Sequence, residues 1–304
     1  MGKITVGTPS HYDFAFYRGV LYVLDFDFRL WSYRVHNYDG QLSCDFIGSN
    51  QLEGLSAPCF DMNIYKDVLF FAAATGVYAL PLGDIHCVGE DGPTLGPILV
   101  KSGLFRSISH GDGNIVIGSD EIGIWTLPGE LIRNLGSELP FHCHSQTEVV
   151  TVRYSGGLLL AEKLNGQAEL WQLKSQRLQP CESGSPLERQ IRQINENGIL
   201  AVAANRGSLV TADQDGVVSL SAKGHRYVIG EYEQTLSELP VSLGVRRSHY
   251  AIETHGALFT HSRETGFRVQ EVGKPDFFRV YGGSRELKPL VLGSLIESIE
   301  IADF

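Results

Sequence analysis

The sequence predicts an all-β fold made of a repeated unit of short antiparallel strands. A large side chain recurs at steps of 47, 47, 46, 47 and 49 residues, and the three tryptophans of the protein all fall on this phase. Each large residue also closes the same local pattern: an apolar run, a short polar or glycine turn, and a second apolar run. The recurring residues are Trp31, Tyr78, Trp125, Trp171, Val218 and Phe267. A period of about 40 to 50 residues that carries short strands is typical of a β-propeller.

Each repeat predicts a blade of four antiparallel strands, with the large residue on the third strand. In the third repeat the first three strands are FRSISH, NIVIGS and IWTLPG, and outer fourth strands such as SCDFIG and GPILVKS follow in most repeats. Glycines such as Gly19 and Gly113 precede the second strand, where a tight hairpin turn requires positive φ. Because buried aromatic side chains dominate core energetics, we expect the recurring residue to pack between blades and not to stack on a ligand.

The strand order and the position of the tryptophans resemble WD-repeat propellers over roughly residues 12 to 282. Ser32, Thr126 and Gln172 follow the tryptophans where that family carries aspartate, and the Gly-His opening of its repeats is absent. The resemblance therefore implies a propeller fold, and it implies no particular function within the family.

The repeat predicts a single domain that spans residues 1–304. The C-terminal segment ELKPLVLGSLIESIEIADF supplies one or two further strands, and KITVG near the N-terminus lies outside the first repeat. We predict that these two segments form a short seventh blade, which would close the ring and remove exposed strand edges. The alternative is a six-bladed ring with a tail added to one blade. Residues 185–197 depart from the strand pattern and predict a short helical insertion, with Ser185 as N-cap and Glu188 completing a capping box.

The composition favours protein or small-molecule partners. The formal net charge is -10 and the pI is near 5.5, which argues against nucleic acid or an anionic membrane as a partner. The sequence has no apolar stretch of membrane-spanning length and no signal-peptide pattern, so we expect a cytoplasmic protein, with the nucleus left open. Five widely spaced cysteines without a CxxC pair predict neither a disulfide framework nor a zinc knuckle.

The turns between second and third strands carry eight acids against three bases. In a propeller these turns share a face with the links between blades. The charged residues of the turns are Asp25, Asp27, Arg29, Asp120, Glu121, Glu162, Lys163, Asp213, Asp215, Arg263 and Glu264. One interpretation is that hairpin turns favour aspartate because it tolerates unusual φ. The other is an acidic face that docks a basic protein partner, with Asp25, Asp27, Asp120, Glu121, Asp213, Asp215 and Glu264 as binding residues.

The densest histidine cluster is His142-Cys143-His144, in a segment that we predict to be a loop before the fourth blade on the same acidic face. Side chains two residues apart on an extended chain point the same way, so His142 and His144 are the candidates for a metal site. Because no second cluster accompanies them, we predict no bound metal and no cofactor.

The sequence contains no GxSxG elbow, Walker motif or HExxH motif. We therefore predict a non-catalytic propeller that acts as a protein-interaction scaffold through its acidic face. The alternative is a propeller enzyme, a hydrolase, lyase or isomerase acting on a small molecule, with its site at the central mouth of the same face. Propeller enzymes gather their site from several blades, so the sequence does not identify catalytic residues.

Overall fold

The computed structural model describes most of the chain up to residue 181 and the strands beyond it. The described ranges are 2–4, 11–38, 41–55, 58–85, 92–111, 113–133, 135, 138–155, 158–163, 167–174, 177–181, 192, 199–205, 208–213, 217–222, 225–231, 240–246, 249–254, 257–262, 266–271, 277–279, 290–292 and 299–301. Side chains are described within residues 13–192 only. Contacts divide the chain into an N-terminal unit, residues 6–153, and a C-terminal unit, residues 1–5 with 154–304.

The N-terminal unit consists of four-stranded antiparallel sheets in which strands consecutive in the chain are neighbours. Strand β1 (Gly2–Ile4) precedes it and belongs to the other unit. Sheet I contains β2 (His11–Tyr17), β3 (Val20–Asp25), β4 (Arg29–Tyr38) and β5 (Gln41–Gln51). Sheet II contains β6 (Cys59–Tyr65), β7 (Val68–Ala73), β8 (Gly76–Pro81) and β9 (Ile98–Ser102). Sheet III contains β10 (Ser107–Gly111), β11 (Asn114–Ser119), β12 (Gly123–Pro128) and β13 (His142–Ser145). The 3-10 helices Leu82–Asp84 and Gly129–Arg133 follow β8 and β12.

The C-terminal unit has the same kind of sheet. Sheet IV, whose first strand begins in the N-terminal unit, contains β14 (Thr151–Ser155), β15 (Leu158–Glu162), β16 (Ala168–Lys174) and β17 (Arg177–Pro180). Sheet V contains β18 (Ile199–Asn205), β19 (Ser208–Asp213), β20 (Val217–Ala222) and β21 (His225–Glu231). Sheet VI contains β22 (Pro240–Arg246), β23 (His249–Thr254), β24 (Ala257–Ser262) and β25 (Gly266–Glu271). The terminal sheet has the order β1, β28 (Ile299–Ile301), β27 (Leu290–Leu292) and β26 (Phe277–Arg279).

Apolar runs form the second strands, which are buried on both faces. All six residues of β7 are buried, and so are the last five of β11. Their side chains meet in a core between sheets II and III that includes Phe70, Phe105 and Ile117. Continuous apolar strands of this kind are expected where a sheet is covered on both faces.

The first strands of neighbouring sheets are joined by buried side chains that the periodicity did not indicate. Asp13 on β2 accepts a hydrogen bond from the amide of Met62 on β6, at 2.5 Å. Asp61 on β6 accepts the amide of Ile108 on β10, at 2.9 Å. The hydroxyl of Ser107 accepts the amide of Val152 at the start of the next sheet, at 3.2 Å.

Asp13, Asp61 and Ser107 form a repeated bridge from the first strand of one sheet to the first strand of the next. Asp13 and Asp61 are 0% and 6% exposed, and Ser107 is 4% exposed. Since an unpaired buried amide is costly, the Asp13 and Asp61 bridges each fix the position of one sheet of the N-terminal unit against its neighbour.

In sheets II and III, a long connection joins the third strand to the fourth. Each of these connections contacts the fourth, outer strand of the preceding sheet. Leu95 donates its amide to Gln51 O at 2.8 Å and accepts the amide of Glu53 at 2.9 Å, so this connection pairs with the end of β5. Leu139 donates in the same way to Val100 O on β9, at 2.8 Å. These contacts cover part of the open edge that an outer strand otherwise exposes.

The third-strand position of the recurring residues is confirmed for five of the six. Trp31, Tyr78, Trp125 and Trp171 lie on β4, β8, β12 and β16, and Val218 lies on β20. The prediction for Phe267 is wrong, because β25 is the fourth strand of sheet VI. A strand-turn-strand pattern looks the same for any adjacent pair of strands, so the local pattern did not distinguish the two positions.

The expectation of buried packing holds in full for Tyr78 and Trp171, which are 7% and 6% exposed, whereas Trp31 and Trp125 are partly exposed. The predicted positive φ before the second strand occurs at Gly19 and Gly113, at +78° and +83°. In sheet II the same position is taken by Asp67, with φ +61°. The predicted helical insertion at residues 185–197 lies outside the described residues, apart from Arg192.

Candidate interaction site

The sheets of the N-terminal unit present two edges of different character. The second-turn edge carries the turns between second and third strands, together with the links from one sheet to the next. Backbone contacts join these parts: Gly103 N donates to Thr75 O at 3.1 Å, and Val149 N donates to Ser119 O at 2.9 Å. The first-turn edge carries the turns between first and second strands and the starts of the third-to-fourth connections, as the 2.7 Å bond from Gly129 N to Gly113 O shows.

Asp25 supports its turn from within the sheet and is only 3% exposed. One carboxylate oxygen accepts the amides of Asp27 and Arg29, at 3.0 and 2.8 Å. The other accepts the indole N–H of Trp31 at 2.7 Å. Asp25 was a predicted binding residue. In the structure its carboxylate accepts hydrogen bonds from two amides and an indole of its own sheet, donors that would otherwise be unpaired.

Besides Glu138, which pairs with Lys101, four exposed acids lie on the second-turn edge among the described residues: Asp27, Glu53, Glu121 and Glu148. Phe26, beside Asp27, is 52% exposed. Asp27 and Glu121 were predicted from the sequence and Phe26 was not, although the alternation in LDFDF places an aromatic ring in the turn. An exposed aromatic ring among acids is suited to contact with another protein.

Asp120, another predicted binding residue, is paired. Its carboxylate forms an ion pair with the Arg106 Nε, and its side chain is 15% exposed. The Arg106 guanidinium also lies over the ring of Phe60, 4.9 Å from the centroid. Arg106 directly precedes β10, and Phe60 lies near the start of β6. The pair therefore lies at the second-turn edge, where the first strands of sheets II and III begin. Phe60 and Arg106 are 46 residues apart, close to the repeat period, and this spacing was the sequence signal that could have identified the pair.

Other cations on this edge are also stacked on aromatic rings. Arg29 lies 5.9 Å from the centroid of Trp31, and Lys101 Nζ lies 4.6 Å from that of Trp125. Glu138 accepts hydrogen bonds from the Ser102 amide and hydroxyl, at 3.4 and 3.2 Å, and forms a 3.5 Å ion pair with Lys101. These interactions, first of all the Ser102 amide, lower the pKa of Glu138. Screening by water makes such an exposed ion pair a small contribution to stability.

The remaining predicted acids fall outside the described side chains. Asp213 ends β19, at the turn before β20, and Asp215 lies outside the described residues. Glu264 also lies outside them, but β24 and β25 on either side of it are the third and fourth strands of sheet VI. The connection that contains Glu264 is therefore not of the second-to-third kind on which its assignment to the acidic face depended.

His142, Cys143 and His144 lie on β13 and not in a loop, which corrects the predicted position. The rings of His142 and His144 do come together, with centroids 4.7 Å apart and an edge-to-face angle of 81°. A 2.5 Å hydrogen bond joins His144 Nε2 to Thr126 Oγ1, and Cys143 Sγ lies 3.6 Å from Ser145 O. Within the described part of the chain, no three histidine, cysteine, aspartate or glutamate side chains form a group that could hold a metal ion.

His110 lies on the first-turn edge, where its ring centroid is 5.1 Å from that of Tyr65. Burial lowers the pKa of His110 from 6.5 to about 4. The unfolded chain therefore binds a proton that the folded chain does not bind between pH 6.5 and about 4.

We expect the free energy of unfolding to fall as the pH falls through this range, by about 2 kcal/mol from His110 alone. Urea titrations at pH 7, 5.5 and 4.5 would measure this slope, which should be shallower in His110→Gln. His142→Gln, at an exposed position, is the control for the loss of a histidine. Equal slopes in all three proteins would contradict the prediction.

No family model and no curated protein matches the sequence. Among solved structures, the chain is similar to the WD40 β-propeller domain of Doa1, with a TM-score of 0.61 and 16% identity over 98% of this chain and 94% of that one. It is also similar to the computationally designed Ika8 protein, with a TM-score of 0.55 and 12% identity over 95% and 80% of the two chains. The chain thus has a WD-repeat-like β-propeller fold. None of its described helices has the length and apolar character needed to cross a bilayer.

Proposed function

We propose that the protein is a non-catalytic scaffold that binds a basic protein segment at the second-turn edge of its N-terminal unit. The observation that carries this proposal is the set of exposed acids on that edge, Asp27, Glu53, Glu121 and Glu148, next to the exposed ring of Phe26. The cations of the same edge are held against aromatic rings, and two of them pair with Asp120 and Glu138.

The hydrogen bonds and ion pairs of the acids support a smaller set of binding residues within this proposal. Asp25 and Asp120 are occupied within the protein, so the partner would meet Asp27 and Glu121. Charges at the rim of an interface act mainly on the rate of encounter and are screened by salt. A basic segment should therefore associate quickly and with marked salt dependence.

The test uses the blocked pentapeptide KKQKK and the full chain at low salt. We expect the double variant Asp27→Asn/Glu121→Gln to weaken binding by about 3- to 10-fold, the value of two exposed charges. Isothermal titration at two salt concentrations measures both the affinity and its salt dependence.

Asp84→Asn/Glu130→Gln is the matched control, because both residues are exposed acids in the connections that start at the first-turn edge. This control should bind KKQKK as the wild type does. An equal loss in both double variants would mean that the peptide responds to net charge alone, and it would contradict the proposed site.

We also propose that the fold closes as a ring of seven blades, with the terminal sheet as the last. The pairing of β1 with β28, in the register Gly2 to Ile301 and Ile4 to Ile299, supports this proposal over the six-bladed alternative. Removal of residues 1–5 should lower the free energy of unfolding by about 1 to 2 kcal/mol, since it exposes an apolar sheet edge. Unchanged urea denaturation of the truncated protein would contradict it.

A further inference from the structure

The Arg106 side chain is held in place on the second-turn edge and remains partly exposed. Its Nε pairs with Asp120, its Cζ lies 4.9 Å from the Phe60 centroid, and the side chain is 34% exposed. Among the described residues no further partner is found for the two Nη groups. A guanidinium whose orientation is set by a stacked ring and an ion pair loses little entropy when it binds.

The neighbours of this guanidinium restrict which anion it can take. The two Nη groups form a planar fork that matches the two oxygens of a carboxylate. Asp120 lies against the guanidinium, and the exposed Glu121 follows Asp120 in the same turn. These charges oppose a phosphate dianion more strongly than a carboxylate monoanion.

We propose that Arg106 binds a glutamate or aspartate side chain of the partner segment, flanked in that segment by basic residues. The inference rests on the proposed function, because the exposed acids of the same edge are to hold those flanking residues. A side chain in the middle of the segment fits this arrangement, since the exposed Glu121 follows Asp120 in the same turn and can meet a basic residue beside it. The acidic edge thus selects for charge pattern as well as for positive charge.

The test compares two blocked peptides, KKEKK and KKQKK, in isothermal titrations against the full chain. On net charge alone, an acidic protein should bind KKQKK more tightly. We expect the opposite order, with KKEKK binding about 5-fold more tightly, because the glutamate gains a charge-assisted pair with Arg106. A KKQKK peptide with a free C-terminal carboxylate should show no such gain, and an equal gain would overturn the assignment to a side chain.

Variants then assign the preference to Arg106. Arg106→Lys keeps the charge without the fork, and Arg106→Gln/Asp120→Asn removes both members of the ion pair so that no buried charge is left unpaired. Both should lose the preference for KKEKK while still binding KKQKK. Arg18→Gln is the matched control, since Arg18 also stacks on a ring, Tyr17 at 4.9 Å, and pairs with an aspartate, Asp67 at 2.8 Å, on the other edge. It should keep the preference.

The outcomes separate the two proposals. Equal binding of both peptides to the wild type, with a loss in Asp27→Asn/Glu121→Gln, would overturn the role of Arg106 and leave the acidic site standing. No binding of either peptide would overturn both proposals. A preference for KKEKK that survives in Arg106→Lys and in the double variant would also overturn the inference.

Discussion

Replacing Asp61 with alanine should lower the free energy of unfolding by about 3 to 5 kcal/mol. The carboxylate of Asp61 accepts hydrogen bonds from the Ile108 amide and the Ser107 hydroxyl, both at 2.9 Å. These bonds join the first strands of sheets II and III. Hydrogen bonds to a charged acceptor contribute about 1.5 to 3 kcal/mol each, and their loss leaves two buried donors without this partner. Chemical denaturation of the purified variant measures the difference.

The controls separate this bridge from a general effect of lost charge. Asp61→Asn keeps one acceptor oxygen and should cost about half as much as the alanine change. Asp45→Ala removes an aspartate whose side chain is 76% exposed, and it should change stability by less than about 0.5 kcal/mol. A cost below about 1 kcal/mol for Asp61→Ala would show that the sheets are held together without the bridge.

The periodicity of large residues was sufficient to predict the sheets but not what joins them. Trp31, Trp125 and Trp171 are conspicuous because tryptophan is rare, and all three lie on third strands as expected. Asp13, Asp61 and Ser107 occur at a similar interval, yet polar residues are too common in the sequence for that interval to stand out. Their role depends on the neighbouring sheet, which a local pattern does not specify.

The candidate site was only partly predictable for a related reason. Asp25 and Asp27 look equivalent in a turn sequence, but one side chain points to backbone amides and the indole of its own sheet, and the other points to solvent. The choice depends on turn geometry and not on residue type. Arg106 and Phe60 are far apart in the chain, and they meet only because the first strands of sheets II and III begin side by side.

The difference between Trp171 and Trp125 concerns the indole N–H. The Trp125 Nε1 donates to Ile122 O at 2.8 Å, whereas the buried Trp171 Nε1 has no acceptor among the described residues. Phenylalanine fills most of the same volume and has no N–H. Trp125→Phe should therefore lower the free energy of unfolding by about 0.5 to 1.5 kcal/mol more than Trp171→Phe does, because it also removes a hydrogen bond. The N–H that Trp171→Phe removes has no acceptor to lose.

Trp171→Ala should lower the free energy of unfolding by about 3 to 5 kcal/mol, because it empties the site of an aromatic side chain that is 6% exposed. Trp171→Phe should recover nearly all of this loss, to within about 1 kcal/mol of the wild type. Urea denaturation of both variants, with Trp125→Phe beside them, provides the comparison. If Trp171→Phe proved as costly as Trp171→Ala, the indole N–H would have to be hydrogen-bonded in the folded protein. If Trp171→Ala cost little, the packing of the third-strand aromatic residues would not be what stabilises the sheets.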